Sequence, residues 1–381
     1  MRTKGVIHAG RDRRLRIGSR KSRQPRHHII INIDGYQHRL LPAQYRTRVA
    51  PFVTVPTRDT LAPMTAQIID GTAIAADIRA EVAARVVTLK THGITPGLAA
   101  VLVGDDAASL SYVSGKAKAC AEVGIFSETF RLPAETSQGE LLDLLARLNA
   151  DPRFHAILPQ LPMPPQIDER TIIDSILPAK DVDGLHPANL GRLTRGETSG
   201  AIPCTPHGVQ QLLMRTGNDP AAKHVVVVGR STLVGRPLAV LLGNKGPGAN
   251  ATVTACHTGT PDIGRFTRDA DIIVMAAGRA NTLTADMVRP GAVVIDVGTN
   301  RLDDPTRKRG WRLVGDADFE AVKEVASWIT PVPGGVGPMT IAMLLENTVR
   351  AAERFAASSE FRVPSSESGG STEYRVPNSE S

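Results

Sequence analysis

"VVVVGRSTLVGRP", residues 225–237, decides the class of fold. Four consecutive valines read as a strand buried on both faces, and the glycine after them turns the chain into a segment of helical pattern. In that setting backbone N–H groups and the start of the helix can hold a pyrophosphate. The spacing departs from the dinucleotide fingerprint. Gly229 opens the turn, but Ser231 and Val234 stand where the second and third glycines would be, with Gly235 one place later. A glycine turn in an α/β domain that binds nothing would look the same on this stretch alone.

The following strand sharpens the reading. A site built for a ribose 2′-hydroxyl offers an Asp or Glu about 20 residues on. From Gly229 to Pro261 there is no acidic residue, the strand-like "ATVTAC" (251–256) ends in His257 and Thr258, and Arg230 lies in the turn itself. A guanidinium holds a 2′-phosphate that a carboxylate would repel, so the pattern favours NADP. Two more apolar runs, "DIIVMAAG" (271–278) and "GAVVIDVG" (291–298), complete a parallel-sheet domain of four strands over 206–329. Upstream, "GLAAVLVG" (97–104) and "FHAIL" (154–158) read as strands, and 109–123 and 139–150 as helices. That βαβα order predicts a second α/β domain over 64–205, with ligands gathered beyond the carboxyl ends of the strands. Residues 180–206 read as an irregular linker, 206–216 as a helix, and 338–355 as a last helix apolar on one face.

Length agrees with two domains, since 381 residues exceed what one ordinary core organises. With 41% hydrophobic and 22% charged residues the chain has a soluble globular composition, and no run of about 18 apolar residues marks a membrane span. The net charge of +7 is unevenly placed. Residues 1–63 hold twelve Arg and two Lys against Asp12, Asp34 and Asp59, a net +11, so the remainder carries −4. This basic extension reads as an upstream stretch from a wrongly assigned start or a disordered arm, since Met64 opens directly into a strand-like run and an amphipathic helix. A nucleic-acid-binding arm is the reading from another class. The Ser-rich 357–381, which half-repeats itself, cannot bury a core and is expected to be disordered. Cys120, Cys204 and Cys256 are odd in number and form no CxxC, which points to a reducing, cytoplasmic setting without a zinc site or disulfide framework.

One further segment carries chemistry. In "SYVSGKAKAC" (111–120), Tyr112 and Lys116 are four apart on an expected helix and share a face. Such a phenol–amine pair can handle a proton, or it can be a solvated helix surface. Gly115 beside them costs up to about 1 kcal/mol relative to Ala within a helix, which suggests close packing or a kink.

Taken together, "YVSGKAKAC", "PQLPMP", "KDVDGLHPANLGRL", "PCTPHG", "VVVVGRSTLVGRP", "GAVVIDVGTNR" and "ITPVPGGVGPMT" resemble one family in its own order, over about residues 64–356. It is the bifunctional methylenetetrahydrofolate dehydrogenase/methenyltetrahydrofolate cyclohydrolase family. The resemblance implies an α/β catalytic domain completed by 330–356, a Rossmann-like NADP domain, an active-site cleft between them and a homodimer. It implies that Lys116 is the key cyclohydrolase residue, that Gln160 hydrogen-bonds it, that Tyr112 contacts the folate and that Asp183 binds the pterin. Asp181, two residues earlier, is expected to be structural. Ser109, Leu161 and the Pro333, Gly334 and Gly335 stretch are implied to line the substrate site. Gly229, Arg230, Ser231, Val234, Gly235, His257, Thr258, Gly278 and Thr299 are implied to line the cofactor site. Short-chain dehydrogenases also use YxxxK, but their dinucleotide turn precedes that motif, whereas Gly229 follows Lys116. A monofunctional dehydrogenase is the nearest alternative. No metal is expected, nor a membrane partner.

Overall fold

The computed structural model describes residues 65–307 and 309–360, together with the backbone of four strands nearer the start of the chain. Contacts divide the chain into two units, Met1–Leu61 and Ala62–Ser381. In the first, β1 (Gly5–Ala9), β2 (Arg13–Gly18), β3 (Ile30–Ile33) and β4 (Tyr36–Arg39) form an antiparallel sheet in sequential order. The expectations for the rest of 1–63 and for 361–381 lie outside the described residues.

The second unit holds two parallel sheets. The smaller has the order β7-β6-β8, with β6 at Gly97–Val103, β7 at Phe126–Leu132 and β8 at Ala156–Pro159. All seven residues of β6 are buried, as a strand covered on both faces requires. Its flanking helices include α1 (Gly71–Thr91), α2 (Ala107–Val123) and α3 (Gln138–Ala150), with the short α4 (Glu169–Asp174) following. α2 ends at Gly124, whose φ of 80° supplies the left-handed cap. α3 starts on a capping box of Ser137 and Glu140.

The supposed linker contains α5 (Pro187–Thr194), started by Pro187 at its first turn and capped by His186. Asp181 organises it: the buried carboxylate accepts from Leu185 N, from His186 N at 2.9 Å and from Asn189 Nδ2 at 2.8 Å. Then follow α6 (Cys204–Arg215) and the larger sheet. That sheet has six strands, not four, in the order β10-β9-β11-β12-β15-β5. They are β5 (Gln67–Ile68), β9 (His224–Val228), β10 (Thr252–Cys256), β11 (Ile272–Met275), β12 (Val293–Asp296) and β15 (Trp328–Ile329). The strand just after Met64, expected in the N-terminal domain, therefore joins the larger sheet and not the smaller one, by parallel pairing of Gln67 with Trp328 and Ile68 with Ile329. α7 (Gly235–Gly243), α8 (Gly264–Thr267) and α9 (Phe319–Val322) belong to this lobe, as does the antiparallel hairpin of β13 (Asn300–Asp303) and β14 (Trp311–Val314).

α10 runs from Val336 to Glu360, past the expected end at 356, and packs against α1 and α6. Its Met339, Met343 and Leu345 join one buried cluster with Leu98 and Leu158 of the small sheet and Val225, Val274 and Ile295 of the large one. Buried side chains of this size contribute about 1.5–3 kcal/mol each, so this shared core fastens the lobes together. Among the described residues no helix is long and apolar enough to cross a membrane.

Candidate active site

The carboxyl ends of both sheets face functional groups. In the larger lobe, Gly229 has a φ of 140°, and an added Cβ would lie 2.2 Å from Ala276 O at the end of β11. A Cβ on Gly235 would lie 2.1 Å from Gly229 O. The turn is thus two glycines folded onto each other, which only residues without a Cβ permit. Gly235, and not the Val234 position, performs the close strand–helix packing of the missing third glycine. Ser231 fixes the turn, its Oγ accepting from Val234 N at 3.1 Å and from Gly235 N at 3.4 Å.

A cavity of about 530 Å³ opens beside this turn, lined by Gly229, Arg230, Ser231, His257 and Thr258 among others. The structure therefore brings these five sequence-predicted residues together. His257 Nδ1 accepts from Gly259 N at 3.0 Å, and its own N–H donates to Thr260 Oγ1 at 3.0 Å, so the loop after β10 is held rigidly at the rim. Among the described residues no carboxylate lines this space, while Arg230 and Arg279 do. That donor set fits a 2′-phosphate. Arg279 was not singled out in the sequence; its only signal is that it follows the glycine at the end of the third strand run.

The backbone past the carboxyl ends of β11 and β12 is tied by two buried carboxylates. Asp296, at the end of β12, accepts from Gly298 N (2.9 Å), Asp316 N (2.9 Å) and Ala317 N (2.8 Å). Asp316 accepts in turn from Ala277 N (2.6 Å), Gly278 N (2.9 Å) and Asn300 Nδ2 (2.9 Å). Gly278, with a φ of 69°, is therefore placed by Asp316. Burial pushes the Asp296 carboxyl up to about 6 against the pull of its three N–H donors.

In the smaller lobe, Lys116 projects from α2 and donates from Nζ to Gln160 Oε1 at 3.0 Å, on the segment just past β8. Gln160 is itself oriented, since its Nε2 donates to Leu161 O at 2.7 Å. Asp183 completes the cluster. Burial raises its carboxyl above the usual range, opposed first by the nearby Lys116 charge and also by a hydrogen bond with the Cys204 thiol. Asn347 of α10 donates to Val182 O (2.9 Å) and Ile202 O (2.8 Å), and so clamps the two segments that carry Asp183 and Cys204. Ser109 is buried in the first turn of α2, its N–H capped by Asp106 at 2.8 Å. Gly115 departs from expectation: an added Cβ would meet nothing within 4 Å, so the residue marks open space beside Lys116 and not tight packing.

Tyr112, 56% exposed, lies one turn before Lys116 and lines a cavity of about 500 Å³. Thr299, Pro333, Gly334, Gly335 and Asp296 line the same space. The two lobes meet here. The glycines are needed: a Cβ on Gly335 would lie 2.6 Å from Pro331 O, and one on Gly71 would lie 1.8 Å from Gly335 O. The start of α1 is thereby pressed onto the loop before α10, with Thr72 Oγ1 donating to Gly334 O at 3.4 Å. Gly71 and Thr72 escape sequence reading because their role exists only once this loop is in place.

A dinucleotide turn on one sheet and a lysine–amide–carboxylate cluster on the other, with Tyr112 and Thr299 on a cavity where the lobes meet, define a two-domain nicotinamide-dependent enzyme. Comparison with known proteins gives the family. Residues 69–183 match the catalytic domain of tetrahydrofolate dehydrogenase/cyclohydrolase, and residues 203–356 match its NAD(P)-binding domain. The bifunctional protein FolD of Dehalococcoides mccartyi is 57% identical over 295 residues, spanning 77% of this chain and 99% of that one. The solved FolD methylenetetrahydrofolate dehydrogenase/cyclohydrolase of Campylobacter jejuni is 49% identical, covers 76% of this chain and 99% of its own, and superposes with a TM-score of 0.72. The Trypanosoma brucei FolD enzyme, solved with NADP and an inhibitor, is 40% identical, covers 77% and 99%, and also gives 0.72. The chain belongs to the tetrahydrofolate dehydrogenase/cyclohydrolase family.

Proposed function

We propose that this chain oxidises 5,10-methylenetetrahydrofolate to the methenyl form with NADP and hydrolyses that product to 10-formyltetrahydrofolate. The observation that carries the reading is the Lys116–Gln160 hydrogen bond, with Asp183 near enough to feel the Lys116 charge. NADP, when bound, accepts the hydride leaving the bridging carbon. The turn from Gly229 through Ser231 to the start of α7 at Val234 and Gly235 would hold the pyrophosphate, its shape fixed by the Ser231 hydroxyl. Arg230, with His257 and Thr258 at the rim, holds the 2′-phosphate. Thr299 and Gly278 present backbone to the nicotinamide end.

Asp183 holds the pterin edge through its two oxygens, a bidentate match to paired N–H donors. Tyr112 lies along the folate, and Pro333, Gly334 and Gly335 leave the ring room to approach the coenzyme. Ser109 and Leu161 shape the pocket around it. The methenyl cation produced is electrophilic, and water adds to its one-carbon centre. Lys116 assists the proton movements of that addition and of ring opening, while Gln160, able to accept from an ammonium or donate to an amine, holds it in place through both. Both steps use one cleft, so the cation need not be released between them.

A homodimer is inferred from the family resemblance. The buried, unpaired Cys120, Cys204 and Cys256 support a cytoplasmic location. The formyl product would serve formyl transfer, as in purine biosynthesis. The test is a spectrophotometric assay with 5,10-methylenetetrahydrofolate and each nicotinamide cofactor, followed through methenyl absorbance. Turnover with NADP and subsequent decay of the methenyl band is expected. Dehydrogenase turnover without that decay would remove the second activity.

A further inference from the structure

A second cavity, of about 430 Å³, lies at the opposite end of the small sheet from Lys116 and Gln160. Gln160 follows the carboxyl end of β8, whereas His155 precedes its amino end. The cavity lies between that strand start, the Pro178–Lys180 segment, α5 and the last turns of α10, and it is mostly apolar.

No carboxylate is among its described lining residues. His155 is 7% exposed, and its Nδ1 accepts from Gly97 N at 3.1 Å. Burial and the charge of Lys180 lower its pKa, so the ring is neutral at pH 7 and its single proton sits on Nε2. Among the described residues that Nε2–H has no acceptor, and it is so covered that the ring serves the cavity as wall. Around it stand Lys180, Arg192 and Arg354. Lys180 spends two hydrogen bonds on Leu148 O and Asp151 O, and Arg192 spends one on Asn189 Oδ1. Arg354 is half-buried, and burial together with the charges of Arg350 and Arg192 lowers its pKa. The neighbouring Glu353 is engaged by Arg85, through bonds of 2.9 and 2.7 Å. Asp151 partly answers Lys180 and Glu353 partly answers Arg354, but a carboxylate between Arg354 and Arg192 would offset the repulsion between those two guanidiniums. The ring of Phe355 packs edge-on to His155, 5.1 Å between centroids, so an apolar wall adjoins the donors.

We propose that this cavity binds a small organic monoanion, an apolar carboxylate, with its head on Arg354 and Arg192 and its body against Phe154, Phe355 and the His155 ring. The site is separate from the folate cleft and adds a ligand class that the folate reading does not contain. Calorimetric titration of the full chain with benzoate tests it, with benzamide as the uncharged analogue and inorganic phosphate as the anion without an apolar body. Benzoate should bind about tenfold or more tightly than either, and Arg354→Met should weaken it by a similar factor, the size expected for one charge-assisted pair. Folate turnover of Arg354→Met, expected unchanged, separates loss of the site from loss of the fold. Equal affinity for benzoate and benzamide, benzoate binding that survives Arg354→Met, or competition between benzoate and the folate substrate would each overturn the proposal.

Discussion

The two lobes meet their ligands by different means. The small lobe offers side chains: Lys116, Gln160 and Asp183 come from a helix, a strand end and a loop, and each can be exchanged without moving backbone. The large lobe offers backbone: Gly229 and Gly235 lie on each other, and the loops ending in Gly278 and Asn300 hang from Asp316. Chemistry resides in the first arrangement and geometry in the second. The same kind of substitution should therefore read out as lost rate in one lobe and lost stability in the other.

The sharpest break in that comparison is Lys116→Met. It should cut methenyl hydrolysis by about 10²–10⁴-fold, about 3–5 kcal/mol of barrier, while NADP affinity and urea midpoint stay at the parent values. A shifted midpoint would show that the small lobe also leans on this side chain. Gly235→Ala is the converse. Its Cβ meets a carbonyl oxygen that cannot move aside, and the variant should lose about 3 kcal/mol in urea unfolding together with NADP binding.

Asp296 sharpens the scaffold side through pH. Its carboxyl rises from 3.8 to about 6 on folding, so the native state holds the proton more tightly than the unfolded chain. The stabilisation is complete below pH 3.8 and is lost as pH rises through about 6. Relative to Asp296→Asn, the parent should lose at most about 3 kcal/mol between pH 4 and 7. Urea unfolding of both proteins across that range checks the sign. The smallest effect is expected for Arg230→Ala, with about tenfold weaker NADP, about 1.4 kcal/mol, and little change for NAD. An equal loss for both coenzymes would contradict the phosphate assignment.

The legible parts of the molecule follow the same division. Buried parallel strands show as valine and isoleucine runs, so β6, β9, β11 and β12 were readable, as were α2 and the helix bearing Met339. The exposed-faced β7 carries no such run, having a burial pattern with no buried residue, and was missed. β5 and β15 are two residues each, too short for any period. α5 was hidden in a stretch rich in Gly and Thr, although Pro187 with Leu190 and Leu193 was a usable signal. Lys116 and Gln160 were readable as a pair only through family resemblance, since their 3.0 Å contact joins residues from separate elements. Asp316 was not readable at all: its role is to collect N–H groups from two other loops, and none of that convergence leaves a local pattern.

The pairing of β5 with β15 has a bearing on how the chain is made. Gln67–Ile68 leaves the ribosome long before Trp328–Ile329, the neighbour that holds it at the edge of the sheet. A nascent chain halted ahead of Trp328 lacks β15 and the closing helix, so the β5 segment, already made, waits with no strand to pair with. Protease resistance during synthesis should thus arrive late and for both lobes at once, in contrast to chains whose domains mature one after the other.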